Sequence, residues 1–158
     1  MKRLMQLISI ALSFGVCNAY ALSANEYKSK FQGRWVINDV KLCTDPKFSG
    51  AGDFFNLDKQ GQLTTELNLP RENRVALIRT SQIKKIEVLN DAERKVKVIS
   101  SSQNVDKNEF YTVTTIYQFD DQFKTLIFIE QKRNDEVLIR NGVVLKTGKD
   151  QSPYYKCD

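Results

Sequence analysis

The chain has 158 residues, with 24 Lys and Arg against 19 Asp and Glu and no histidine. This length predicts one domain, and the mild basic excess alternates with acidic residues, which is a solvated surface and not a nucleic-acid footprint. The missing histidine excludes Ser-His-Asp and Cys-His catalysis, and the common zinc sites that use imidazole.

Residues 1–21 are predicted to be a secretory signal peptide. A lysine and an arginine precede the apolar run 4–16, and Ala19 and Ala21 are small residues at the two recognition positions for cleavage. The run is shorter than the roughly 20 residues that a membrane-spanning helix needs. We therefore expect a mature chain, residues 22–158, that forms a single domain in the periplasm or outside the cell and has no transmembrane segment.

Two cysteines remain in that mature chain, Cys43 and Cys157. An even number of cysteines in an oxidising compartment predicts a disulfide bond, and two cysteines can pair in only one way. A catalytic role for either thiol is disfavoured, because the chain has no histidine to activate it.

The first predicted element is a short helix, and strands follow it. Ser23 and Glu26 fit a capping box, and Tyr27 and Phe31 lie four residues apart, so residues 23–31 are expected to form a helix with one aromatic side. The apolar runs that follow are separated by turns rich in Asn, Asp and Gly, which are typical of hairpins. The predicted strands are 34–42, 53–57, 62–68, 79–89, 95–102, 109–119, 124–132, 136–140 and 143–147, with residues 70–78 ambiguous between helix and strand.

The pattern within these strands favours a closed barrel. In residues 109–119, Tyr111, Val113, Tyr117 and Phe119 share one face, which is typical of a half-buried antiparallel strand. Many consecutive hairpins in a small domain favour closure, because closure removes exposed edges. We predict an all-β fold, a single antiparallel up-and-down β-barrel of about eight strands with a short N-terminal helix; a sandwich and a curved open sheet are the alternatives.

No sequence pattern predicts a catalytic centre. Asp120 and Asp121 are the most conspicuous acidic pair. Adjacent residues on a strand point to opposite faces, and a polar turn between two apolar runs explains the pair. Because a glycine-rich phosphate loop is also missing, we expect a protein that is not an enzyme and that uses no cofactor and no metal.

The stretch KFQGRWVI places Gly33 and Trp35 at the start of the first strand, just after the predicted helix. This Gly-x-Trp pattern, the meander of about eight strands and the late cysteine resemble the lipocalin-like (calycin) barrels. In that family the tryptophan plugs the closed end of the barrel and packs against an arginine from a late strand. The resemblance implies this role for Trp35 and makes Arg140 its partner, although the family's Thr-Asp-Tyr turn is not found. A lone core tryptophan in an unrelated β-domain is the alternative.

Two functions of different classes remain open. One is an exported carrier that holds a small apolar molecule inside the barrel. The other is an inhibitor, an immunity protein or an envelope-assembly protein that docks on another envelope protein through its outer surface. Aromatic residues in the segments DFFNL and SPYYKC are candidates for ligand or partner contact, with ordinary core packing as their alternative. These candidate residues are Phe54, Phe55, Tyr154 and Tyr155.

Overall fold

The structure, a computed structural model, describes residues 21–44, 53–69 and 74–157. The predicted signal peptide therefore lies outside the described residues, except for residue 21. In chain order the elements are α1 (Ala24–Phe31), β1 (Gly33–Ile37), a 3₁₀ helix (Val40–Cys43), β2 (Asp53–Leu57), β3 (Gln62–Leu69), β4 (Arg74–Asn90), β5 (Lys95–Asn104), β6 (Glu109–Phe119), β7 (Thr125–Arg133), β8 (Glu136–Arg140), β9 (Val143–Val144), β10 (Lys149–Asp150) and β11 (Tyr154–Lys156).

Eight of these strands form a closed antiparallel barrel. They follow the order β1-β2-β3-β4-β5-β6-β7-β11. Strand β7 pairs with β6 on one edge and with β11 on the other, and β11 pairs with β1, which completes the cylinder. Strands β8 to β10 extend from the second half of β7. The predicted all-β barrel of about eight strands with a short N-terminal helix is confirmed.

Helix α1 closes one end of the barrel. Its capping box is present as predicted: the Ser23 hydroxyl oxygen accepts from the Glu26 amide at 3.3 Å, and the Glu26 carboxylate accepts from the Ser23 amide at 2.8 Å. Tyr27 and Phe31 are fully buried on the inner side of the helix. The ring of Phe31 lies 4.9 Å from that of Tyr117, centroid to centroid. The helix therefore packs its aromatic side into the barrel.

The junction between α1 and β1 requires a glycine. Gly33 has a φ of +108°, a backbone conformation that side chains with a Cβ rarely adopt. Beyond it, the period of two along β1 places Trp35 and Ile37 on the inner face and Val36 on the outer face. In the Gly-x-Trp pattern, the glycine therefore allows the positive φ at the start of β1, and the tryptophan two residues later points into the barrel.

Trp35 is a core residue of the closed end. Its indole has no exposed surface, its ring N–H donates to the Phe31 carbonyl at 2.9 Å, and the ring stacks on Phe55. The cation over the ring is Lys156, whose Nζ lies 5.5 Å from the centroid, whereas Arg140 is exposed at the end of β8. The proposed pairing with Arg140 is therefore wrong. The strand beside β1 is β11, and its Lys156 lies opposite Trp35 in the register.

A second, smaller core lies outside the barrel wall. Val36 and Phe54, on the outer faces of β1 and β2, bury their side chains against Leu42 of the 3₁₀ helix. Cys43 and Cys157 pack against this cluster and form a disulfide bond, with their Cα atoms 5.4 Å apart. The predicted disulfide is confirmed, and it fastens the end of β11 to the 3₁₀ helix that follows β1.

Three strand predictions need correction. The first predicted strand, 34–42, ends at Ile37, because Asn38 adopts a left-handed conformation with φ of 67° and the chain then enters the 3₁₀ helix. Strand β4 starts at Arg74, so the described part of the ambiguous segment 70–78 is strand. The third correction concerns the C-terminal part, where the predicted strand 143–147 ends at Val144 and the sequence patterns did not predict β10 or β11.

Candidate functional site

A cavity of about 970 Å³ occupies the half of the barrel that lies away from α1. Its size lies near the upper end of the ~300–1,000 Å³ that is usual for small-molecule sites. Inward side chains of the barrel strands form its walls, and residues of β8 and β9 form one side of its rim. The lining includes Phe55, Thr65, Arg79, Tyr117, Phe128, Gln131, Arg133, Glu136, Lys146 and Tyr154.

The floor of the cavity is aromatic. The ring of Phe128 lies 4.9 Å from Tyr117 edge-on and 5.0 Å from Tyr154 in a stacked arrangement. Phe55 completes the group at 5.0 Å from Tyr154 and stacks on Trp35 at the closed end. Because these rings fix one another, the floor is a preformed apolar surface.

The wall formed by β4 to β7 has buried polar side chains, of which Gln131 lines the cavity. The hydroxyls of Ser81 and Ser102 are 2.8 Å apart, and the Gln131 amide nitrogen donates to the Thr115 hydroxyl at 3.2 Å. These side chains are buried, and their hydrogen bonds offset the cost of that burial. Small hydroxyl residues at inward positions also leave volume that larger apolar side chains would fill.

Arg79 is the charged group on this wall. Its Nε and Nη2 atoms donate to the Thr65 hydroxyl at 3.3 and 3.1 Å, and its side chain is half-buried. Within the described ranges no carboxylate pairs with it. By contrast, Arg133 at the rim bonds the Glu136 carboxylate at 2.7 Å, and both of these side chains are about half exposed.

The hydroxyl of Tyr117 belongs to the same interior. Burial raises the pKa of Tyr117, and the Arg79 charge and a hydrogen bond with Thr115 act in the opposite direction. The net shift is upward from a value near 10.0. Tyr117 is therefore a neutral phenol at physiological pH, able to donate or accept a hydrogen bond inside the barrel.

The four aromatic candidates for surface contact do not form an exposed patch. Phe54 and Phe55 are only 1% and 4% exposed, because one faces the outer core and the other faces the barrel interior. Tyr154 is buried and Tyr155 is half-buried against the disulfide cluster. Phe55 and Tyr154 line the cavity, so the structure places two of the four where a ligand inside the barrel would touch them.

The acidic pair at residues 120 and 121 shapes a turn. The Asp120 carboxylate accepts from the backbone amides of Lys124 and Thr125, at 2.7 and 3.1 Å. The Asp121 side chain is exposed and lies 3.8 Å from the Arg94 guanidinium. Across residues 21–44, 53–69 and 74–157, no three potential metal-ligating side chains cluster together.

Sequence reasoning missed Arg79 and Gln131. Each is a polar residue at an inward position of a strand. Such a residue could have indicated a cavity, because burying a charge or an amide in a filled barrel would be costly. The signal was hidden by β-bulges: the register of β4 shifts between Ile83 and Lys85, and β7 carries an extra residue, Ile129, opposite Ile116 and Tyr117 of β6. A bulge reverses the inside-outside alternation along the chain.

No protein-family model matches the chain. Curated proteins and solved structures likewise give no match. In the part of the chain that the structure describes, no helix has the length and apolar character needed to cross a bilayer.

Proposed function

We propose that the protein is an exported carrier, a lipocalin-like binding protein that holds one small and largely apolar molecule inside the barrel. The cavity of about 970 Å³ above an aromatic floor is the observation that carries this proposal. The signal-peptide pattern and the disulfide support a location in the periplasm or outside the cell. The proposed role is binding without catalysis.

The arrangement of the two barrel ends supports a carrier. Among the described residues, the end at α1 is filled by Tyr27, Phe31 and Trp35, so a ligand would enter from the other half. The aromatic floor is held by ring contacts and by the closed end below it. A preformed floor lowers the ordering cost of binding, because few side chains must be immobilised when the ligand enters.

The alternative, a protein that docks through its outer surface, has less support. Its proposed patch required exposed rings at Phe54, Phe55, Tyr154 and Tyr155, and these rings are instead divided between two cores. The carrier is therefore the function that the described geometry favours.

A fluorescent apolar probe, N-phenyl-1-naphthylamine, tests the carrier. Thr65 faces the cavity, whereas its neighbour Thr64 faces outward on the same strand, so Thr65→Phe and Thr64→Phe form a matched pair. We expect the mature protein to bind the probe, Thr65→Phe to weaken binding by about 10-fold or more by filling space, and Thr64→Phe to leave it unchanged. Equal affinities in the two variants would contradict binding in the barrel.

Native mass spectrometry of the protein purified from its own host separates the two functions. A retained small molecule is expected for the carrier. A stoichiometric protein partner without a small molecule would favour the docking function instead.

A further inference from the structure

We propose that the carried molecule is an anionic amphiphile, whose carboxylate pairs with Arg79 and whose apolar body lies on the aromatic floor. This inference rests on the carrier proposal and adds the chemical class of the ligand. Its basis is Arg79, which lies inside the barrel cavity and donates to the Thr65 hydroxyl. Among the described residues, no carboxylate serves as its counter-ion.

Among the described residues, the charges around the cavity leave Arg79 without a counter-ion. The described lining holds three cationic side chains, Arg79, Arg133 and Lys146, and one acidic side chain, Glu136. Glu136 is engaged by Arg133 at the rim, and Lys146 is exposed to solvent. Arg79 is half-buried on the inner wall, so it has lost part of its water shell. A ligand anion would restore the interaction that burial removed.

The guanidinium geometry favours a carboxylate. Arginine carries five N–H donors in a planar fork. Thr65 uses Nε and one hydrogen of Nη2, so with respect to the described residues both hydrogens of Nη1 and the second of Nη2 are left for a ligand. Three donors suit the two oxygens of a carboxylate. A dianionic phosphate would need a second buried cation, and Lys146 is instead exposed at the rim.

The apolar part of the ligand has a matching surface. The cavity is lined both by Arg79 on the β4 wall and by the Phe55, Phe128 and Tyr154 rings of the floor. A molecule held by its acidic group at Arg79 can therefore place an acyl or ring body over these aromatic rings. A neutral apolar molecule would cover the same floor but give the guanidinium no counter-ion.

A pair of probes that differ only in charge tests the inference at neutral pH. The fluorescent fatty acid cis-parinaric acid and its methyl ester share the same apolar body. We expect wild-type protein to bind the acid about 10- to 100-fold more tightly than the ester, the range for a hydrogen-bonded charge pair. In Arg79→Gln this preference should disappear while the ester affinity is unchanged.

Arg140→Gln is the matched control, because Arg140 is exposed at the end of β8 and is not among the residues that line the cavity. It should keep the preference for the acid. Arg79→Lys retains the charge without the fork, and it should keep part of the preference. The wild-type comparison needs no variant, and the ester affinity reports whether Arg79→Gln retains a folded cavity.

The outcomes distinguish the two proposals. Tight binding of both probes with equal affinity, or a preference that survives in Arg79→Gln, would overturn the anionic class and leave the carrier intact. Failure of both probes and of N-phenyl-1-naphthylamine to bind would overturn the carrier and this inference together.

Discussion

Removal of the Cys43–Cys157 disulfide is expected to lower the free energy of unfolding by about 3 to 5 kcal/mol. The bond joins residues 114 apart, and the chain-entropy model assigns about 5 kcal/mol to a loop of this length. Measured effects are often smaller than the model value, because the unfolded chain without the bond retains some structure, and this sets the lower bound. Cys43→Ala with Cys157→Ala is the suitable variant, because alanine adds no buried hydroxyl to the apolar cluster that surrounds the bond.

The loss should be largest in β11. This strand has only three residues, yet it pairs with β1 on one side and β7 on the other and thereby closes the barrel. The amide of Lys156 donates to the Lys124 carbonyl, and that of Cys157 donates to the Arg34 carbonyl. Without the disulfide, a short terminal strand is held mainly by these bonds, so its local opening should become easier than global unfolding.

Urea unfolding of the oxidised protein and of the double-alanine variant measures the loss in free energy of unfolding. Amide hydrogen exchange measures the local opening of β11. Amides in β5 and β6, which pair along their whole length, serve as the internal reference. A loss of less than about 1 kcal/mol, well below the usual range for a native disulfide, would refute the entropy argument. Unchanged relative exchange of the β11 amides would refute the role of the bond in closure.

Two further predictions concern the closed end. Trp35→Ala should lower the free energy of unfolding in urea by about 3 to 5 kcal/mol. In double-mutant cycles, Lys156→Met should couple to Trp35→Ala by about 0.5 to 1 kcal/mol, whereas the effect of Arg140→Met should simply add. Additivity of Lys156→Met would contradict its contact with the ring. Burial, then the hydrogen bond to Asp91, raises the pKa of Tyr27 from 10.0 to about 12. Because the pKa of Tyr27 is raised in the folded state, its contribution to the free energy of unfolding is complete below pH 10 and is lost as the pH rises toward 12. Across that range the free energy of unfolding should therefore fall less steeply in Tyr27→Phe than in the wild type. Equal slopes would contradict this prediction.

Local chemistry was enough to predict most of the barrel. The capping box at Ser23, the hairpin turns and the alternation in residues 109–119 each act over a few neighbouring residues, and the structure has all of them. Strand β11 was missed for the opposite reason. Three residues after Pro153 are too few to show alternation, and they are extended because strands distant in sequence accept their hydrogen bonds.

The candidate site was harder to predict because it depends on which face of each strand turns inward. Phe54 and Phe55 are identical in type and adjacent, yet one packs under the 3₁₀ helix and the other lines the cavity. Sequence alone shows two aromatic residues near an exposed-looking turn, and only the position of the 3₁₀ helix reveals that the outer ring is covered. Arg140 was chosen as the cation beside Trp35 for a related reason. The strand next to β1 is β11, which was not predicted, so its Lys156 was not considered.

The two halves of the barrel differ in packing: one half is filled with side chains and the other contains the cavity. The inward residues of the two halves differ accordingly. Large aromatic side chains from α1, β1 and β6 fill the closed half, where interlocking rings stabilise the fold. In the other half, Thr65, Arg79 and Gln131 occupy inward positions on the cavity wall, which gives up apolar burial and leaves a volume of about 970 Å³. A fold that needed only stability would fill this half with Val, Leu and Phe. The disulfide and the aromatic end compensate for the packing that the cavity lacks, and this is the arrangement expected when the interior of the open half is kept for a ligand.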